Sequence, residues 1–297
     1  MMTGILVKAI AGFCYVDCDG TVYECKPRGN LRREGLFCGD SVEFSILPND
    51  KGIVEGVNQR KNSLVRPPIS NIDRLYIVSA HNTPAPNALL IDRITALCEK
   101  LCIEPILIFN KSDLGDLESW ENIYNSCGYK TFVVSALNSD TLLPLRNHIL
   151  DFSGISAFTG NSGVGKSSIL NAVFPELSLQ TGSVSEKLGR GRHTTRQVEL
   201  FRLPNGGYIA DTPGFSSLDI TKCEVIFKEQ LPQCFKEFSP YIEHCRFNSC
   251  THLNEPDCAV RQAVINGDIP KSRYESYTAL YDEVKDLKKW NTRKITK

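Results

Sequence analysis

The residues Gly160 to Ser167, GNSGVGKS, have the spacing G-x-x-x-x-G-K-[ST]. They follow the apolar run ISAFT and open the stretch SSILNAV, a strand-to-helix context that gives the pattern a mechanism. Gly160, Gly163 and Gly165 let the backbone curl so that its N–H groups face phosphate oxygens, with Asn161, Ser162, Val164 and Ser168 completing the loop. Lys166 brings positive charge to the β- and γ-phosphates, and Ser167 offers Mg²⁺ a hydroxyl. A Gly-rich turn around an ordinary core lysine is the bland alternative, and it leaves the full spacing unaccounted for.

Three further short motifs belong to the same chemistry. DTPG at 211–214 ends the strand-like GYIAD. There Asp211 can hold Mg²⁺, often through water, and Gly214 can turn its N–H to the γ-phosphate. NKSD supplies Asn110, Lys111, Ser112 and Asp113 after the apolar EPILIF. Guanine presents N1–H and an exocyclic amine side by side, two donors that suit the Asp113 carboxylate; adenine puts an acceptor there. Lys111 would lay its stem over the base, and Asn110 would tie this motif to the phosphate loop. SAL, at Ser135, Ala136 and Leu137, fits a second base loop in which the Ala136 N–H reaches guanine O6. The order is base, base, phosphate, switch, whereas nucleotide switches usually run phosphate first. Cutting between the two halves and joining the old ends gives this order, since domain termini lie close together at the surface. The reading is a circularly permuted GTPase domain.

The elements that must carry these motifs follow from pattern. Residues 1–65 read as five short strands punctuated by Gly, Asp and Asn, which predicts a small barrel, best an OB-fold. LVRPPISN marks a boundary. From 66 to 222 strands alternate with helices, as in a mostly parallel sheet covered on both faces. Helices are expected over PNALLIDRITALCEKLC and near 116–126 and 142–150, and VELFRL and GYIAD form a hairpin turned at PNGG. Residues 223–297 read as helical and polar around a Cys/His knot.

Composition limits the alternatives. The 297 residues carry 34 basic and 34 acidic side chains, so no global field advertises nucleic-acid binding. No signal-peptide pattern opens the chain and no apolar run spans a bilayer, which makes the cytoplasm the expected address. Twelve cysteines then argue for buried thiols rather than disulfides, with Cys245, Cys250 and Cys258 set apart. Local basic clusters remain at Lys26, Arg28, Arg32 and Arg33 and along 271–297, where Lys271, Arg273, Lys285, Lys288, Lys289, Arg293, Lys294 and Lys297 exceed the acids by four. Both are read as surfaces that track RNA phosphates.

NKSD, GNSGVGKSS, GRGRHTT, DTPGF and HCRFNSCTHLNEPDCAV occur in the order of the RsgA (YjeQ) family, which the chain resembles over nearly its whole length. The resemblance implies an N-terminal OB-fold, a permuted GTPase domain and a C-terminal zinc-binding helical domain. It also implies GTP and GDP as ligands, and a GTPase that binds the small ribosomal subunit and its rRNA late in assembly and is stimulated by it; a monomer is expected. By the same resemblance Cys245, Cys250, His252 and Cys258, spaced C-x₄-C-x-H-x₅-C, hold one structural Zn²⁺. Phe215 stands where many GTPases carry a water-orienting Gln, and the resemblance implies His193 in GRGRHTT as its substitute. Thr194 or Thr195 supplies the switch hydroxyl, with Thr195 preferred; Arg196 stands where many members have a third Thr. Two rivals remain, a P-loop ATPase or kinase, which NKSD opposes, and a nucleotide-gated RNA-binding module without catalysis, which Phe215 keeps open.

Overall fold

The structure is a computed structural model that describes residues 1–29, 31, 35–48, 51–65, 67–82, 84–177, 198–211 and 225–287. Strands β1 (Met2–Ile10), β2 (Phe13–Cys18), β3 (Thr21–Pro27), β4 (Ser41–Leu47) and β5 (Lys51–Val57) form the N-terminal barrel. Antiparallel β1–β2, β2–β3 and β4–β5 pairs, a parallel β3–β5 pair and an antiparallel β1–β4 pair close it. Strand alternation sends Leu6, Val16, Cys25, Val42, Phe44 and Val54 inward as one apolar core. The boundary segment is more ordered than its prolines suggest. It holds a two-stranded ribbon, β6 (Ser63–Val65) and β7 (Pro68–Ser70), with Leu64 and Ile69 fully buried.

The central sheet contains β8 (Ile72–Ala80), β9 (Glu104–Asn110), β10 (Lys130–Val133), β11 (Ile155–Thr159), β12 (Glu199–Arg202) and β13 (Tyr208–Asp211). Its order is β10-β9-β8-β11-β13-β12, parallel except for the β12–β13 hairpin. Helices α1 (Ala88–Leu101), α2 (Glu118–Ser126), α3 (Ser139–Leu150) and α4 (Lys166–Val173) accompany it. Alternate β8 residues feed two cores. Leu75 and Ile77 meet Ile94 and Leu97 of α1, while Tyr76 and Val78 meet Leu145, Ile169 and Leu170. Helix α3 starts three residues before the expected 142, because the Asn138 side chain accepts the Asp140 N–H and caps it there.

The sheet does not stop at the barrel. Strand β1 pairs with β12 at Lys8 and Glu199, making one 11-stranded sheet. Lys8 salt-bridges Glu199 at 2.9 Å, Arg202 pairs with the buried Asp17 at 3.2 Å, and the Cys38 thiol donates to the Val198 carbonyl. Val7, Cys38, Leu64 and Ile69 enter the same core as Ile77, Ile94 and Leu200.

The C-terminal region carries α5 (Ser239–Ile242), α6 (Ala259–Asn266) and α7 (Lys271–Val284), with two 3₁₀ turns ahead of them. Its core of Leu231, Phe235, Phe238, Val260, Ile269 and Tyr277 closes on Ala96 of α1. Arg273 corrects the surface reading. Rather than facing solvent it is fully buried, donating to Asp92 at 2.5 Å, to Glu237 at 2.6 and 3.2 Å, to Thr95 and to Tyr129, with its guanidinium over the Phe235 ring. Lys271 and Lys285 face Glu275 and Asp282, so the described part of α7 offers little free positive charge. The thiol reading holds for Cys14, Cys25, Cys38, Cys98, Cys127 and Cys234. Cys102, the C-cap of α1 at φ 54°, is exposed instead, and Cys18 is only half-buried. Cys223 lies outside the described residues.

Candidate nucleotide site and metal cluster

The β11–α4 turn carries the phosphate loop at the carboxyl ends of the parallel strands, where open α/β sheets bind ligands. Gly160 has φ 140° and Gly165 φ 94°, and both positions also forbid a side chain on space alone. A Cβ at Gly160 would strike the Val78 carbonyl, and one at Gly165 would strike the Asn110 amide. Lys166 donates to the Gly160 and Asn161 carbonyls at 2.7 and 2.9 Å. Burial lowers its pKa to about 8, a shift that the negative charge of a bound polyphosphate would reverse. Ser167 is half-buried in the first turn of α4, while Ser162 and Ser168 are exposed.

The NKSD segment stands beside this loop. Asn110, 1% exposed at the end of β9, donates Nδ2–H to the Val164 carbonyl at 2.8 Å and accepts the Ala136 N–H at 3.1 Å. One side chain thereby joins both base-loop segments to the phosphate loop. Lys111 turns the chain in the left-handed region, φ 62°, and Ser112–Leu114 form a 3₁₀ turn anchored by the Ser112 N–H on Val134. Asp113 Oδ1 accepts the Ser135 hydroxyl at 2.5 Å, which fixes the carboxylate's rotation and leaves Oδ2 for a ligand's donors. Thr141, on α3, accepts the Ser135 N–H and donates to the Asn138 carbonyl. The Ala136 N–H, read as a donor to guanine O6, here points to Asn110.

Asp211 ends β13, next to β11 in the sheet. Gly214, His193, Thr194 and Thr195 lie outside the described residues, as do Arg32, Arg33 and 288–297.

The Cys/His knot converges. The donor atoms of Cys245, Cys250, His252 and Cys258 all lie within 4.8 Å of one another. Cys245 and Cys258 Sγ are 3.9 Å apart, and each is 3.5 Å from His252 Nδ1. A tetrahedral ion with bonds of about 2.3 Å to sulfur and about 2.0–2.1 Å to nitrogen requires separations of about 3.8 and about 3.5 Å. The donor set fits a zinc-sized ion. Burial lowers the His252 pKa, which keeps the imidazole neutral and able to ligate. Glu255 is the neighbour that residue spacing did not single out. Burial opposes its charge, but hydrogen bonds from Thr251 and nearby backbone outweigh that and hold its pKa at about 2.

The profile of the RsgA GTPase family matches residues 57–221, and that of the RsgA N-terminal domain matches 3–54. The chain belongs to the RsgA GTPase family. Among its relatives is a small ribosomal subunit biogenesis GTPase RsgA from Caldanaerobacter subterraneus subsp. tengcongensis, 44% identical, with 96% of this chain and 97% of the relative covered. One of the same description from Streptococcus pneumoniae serotype 4 is 43% identical, covering 96% and 95%. The crystal structure of YloQ, described as a circularly permuted GTPase, superposes at TM-score 0.79 with 34% identity over 96% of both chains. YjeQ from Thermotoga maritima gives 0.80 with 33% identity, over 96% of this chain and 99% of that one. The chain is therefore a permuted GTPase with a five-stranded N-terminal barrel, and a GTP hydrolase by family. No helix among its described residues is long and apolar enough to cross a membrane.

Proposed function

We propose that this chain hydrolyses GTP to GDP and phosphate on the small ribosomal subunit, late in that subunit's assembly, and that the subunit accelerates the hydrolysis. The observation that carries this reading is the Asn110 side chain, which bonds to both Val164 and Ala136 and so makes one site of the base and phosphate motifs. The relatives named for small-subunit biogenesis support the choice of partner.

In this reading Asp113 reads the guanine edge, Lys111 covers the base, and the 160–168 loop with Lys166 holds the phosphates. Ser167 and Asp211 would hold Mg²⁺ bound with GTP, whose charge offsets that on the β- and γ-oxygens. His193 orients the attacking water in place of the Gln that Phe215 replaces, and Thr195 and Gly214 contact the γ-phosphate side. Cys245, Cys250, His252 and Cys258 hold one structural Zn²⁺ per chain. Residues 1–65 act as the RNA-binding domain ahead of the GTPase, 66–222, and 223–297 as the zinc-binding domain after it, in a cytoplasmic monomer.

The test is multiple-turnover phosphate release titrated with purified small subunits, for wild type and His193→Ala. Subunit-dependent turnover in the wild type, lowered about 10²-fold or more in the variant while GTP affinity is kept, supports the assignment. Turnover indifferent to subunits refutes the partner. GTP binding without turnover favours a nucleotide-gated binding module.

A further inference from the structure

The metal loop is shaped by a carboxylate that ligates nothing. Glu255 Oε1 accepts both the Thr251 N–H at 2.7 Å and the Thr251 hydroxyl at 2.6 Å. Its Oε2 accepts the N–H groups of Leu253 and Asn254 at 3.1 and 3.2 Å. Four donors from the segment 251–254 thus converge on one side chain. The carbonyls of that segment are held from the other direction, where Tyr277 donates to Thr251 O at 2.6 Å and Tyr274 to His252 O at 2.8 Å, both from α7. Between these two sets His252 takes φ 59°, a left-handed backbone uncommon for a residue with a Cβ. That conformation aims Nδ1 at the Cys245 and Cys258 sulfurs.

We infer that Glu255 is a positioning residue for the metal site, imposing the His252 backbone turn so that the four ligands stand ready for a Zn²⁺ ion. The inference rests on the zinc reading of the Cys/His cluster. All four partners are donors, so only a group that accepts on both oxygens satisfies them. Glutamine, equal in size, fails in either orientation of its amide. With its NH₂ toward Leu253 and Asn254, two backbone N–H groups face a donor. With the amide reversed, the Thr251 N–H does.

Zinc is removed by chelation and returned against a competing chromogenic chelator, for wild type and Glu255→Gln, with GDP affinity measured in parallel. Loss of the residue that orients a ligand lowers metal affinity by about 10- to 100-fold. The expected result is that drop in Glu255→Gln, with GDP affinity unchanged and hydrogen-exchange protection lost at Leu253 and Asn254. Zinc affinity within twofold of wild type overturns the inference, and so does an equal fall in GDP affinity, which would mark a general folding role. If Glu255→Gln does not fold, Thr251→Val, which deletes one donor, should weaken zinc severalfold; unchanged affinity there also overturns it. A wild type that takes up no zinc removes the metal reading itself, an outcome visible before any variant is made.

Discussion

Replacing Arg273 by Ala removes the guanidinium that two buried carboxylates, Asp92 and Glu237, share. Asp92 is fully buried on α1 and Glu237 is 9% exposed in the turn before α5, so neither has water to turn to. The guanidinium makes five hydrogen bonds, three of them to these carboxylates, and lies 4.7 Å from the Phe235 ring centroid. Breaking a buried pair by deleting one partner costs about 3–5 kcal/mol, because the stranded charge is what is penalised. The variant should therefore weaken the attachment between α7 and α1, leaving the Arg93–Glu283 pair and the apolar contact at Ala96 to hold it. Urea unfolding followed by Trp120 fluorescence is the assay, since that ring lies 6.3 Å from Phe109 in the cluster containing Tyr124, which itself donates to Asp92. Removing all three charges together, as Asp92→Leu, Glu237→Met and Arg273→Met, should restore much of the loss, since a well-packed apolar trio carries no desolvation cost. A single Arg273→Ala that loses under about 1 kcal/mol, or a triple variant as unstable as the single one, refutes the stranded-charge argument.

Asp113→Asn should shift preference from GTP toward xanthosine triphosphate, because an amide can donate to the 2-carbonyl; nucleotide competition checks it, and unchanged GTP affinity rejects the base assignment. GDP affinity should fall as pH rises above about 8, where buried Lys166 begins to lose its proton in the free protein, and isothermal titration in buffers of different ionisation enthalpy should show proton uptake on binding. The same depressed pKa makes the unfolded chain the better proton binder between about 8 and the ordinary lysine value, so stability of the nucleotide-free protein should rise over that interval while affinity falls. Neutralising Arg28, Arg32 and Arg33 should weaken small-subunit co-sedimentation and flatten its salt dependence without altering GDP affinity; identical curves assign the loop to solvent.

The architecture was legible where function dictates local backbone. GNSGVGKS requires glycines at fixed offsets, and the order of NKSD, SAL, GNSGVGKS and DTPG announces the permutation before any packing is known. Even the tie from Asn110 to the phosphate loop could be argued from residue type. What escaped is decided by partners remote in sequence. Arg273 reads as one more surface cation until Asp92, 181 positions away, is found against it. The β6–β7 ribbon has strands of three residues with Pro67 and Pro68 at its turn, too short for alternation to register. Glu255 betrays itself only as an acid four residues after a Thr, a spacing that means little until four N–H and O–H donors are seen to meet there.

The pairing of β1 with β12 bears on how this protein can be taken apart. Without the barrel, β12 would be a bare edge, presenting unpaired N–H and C=O groups from a strand whose neighbour β13 is buried. Such an edge is a template for adding foreign strands. A fragment beginning at residue 66 should accordingly aggregate at its β12 margin. Adding the barrel in trans, or placing a lysine at an outward position of β12, should suppress this. The barrel thus serves as a built-in sheath for the enzyme's sheet, and because residue 8 must find residue 199, that protection arrives only after most of the chain has been made.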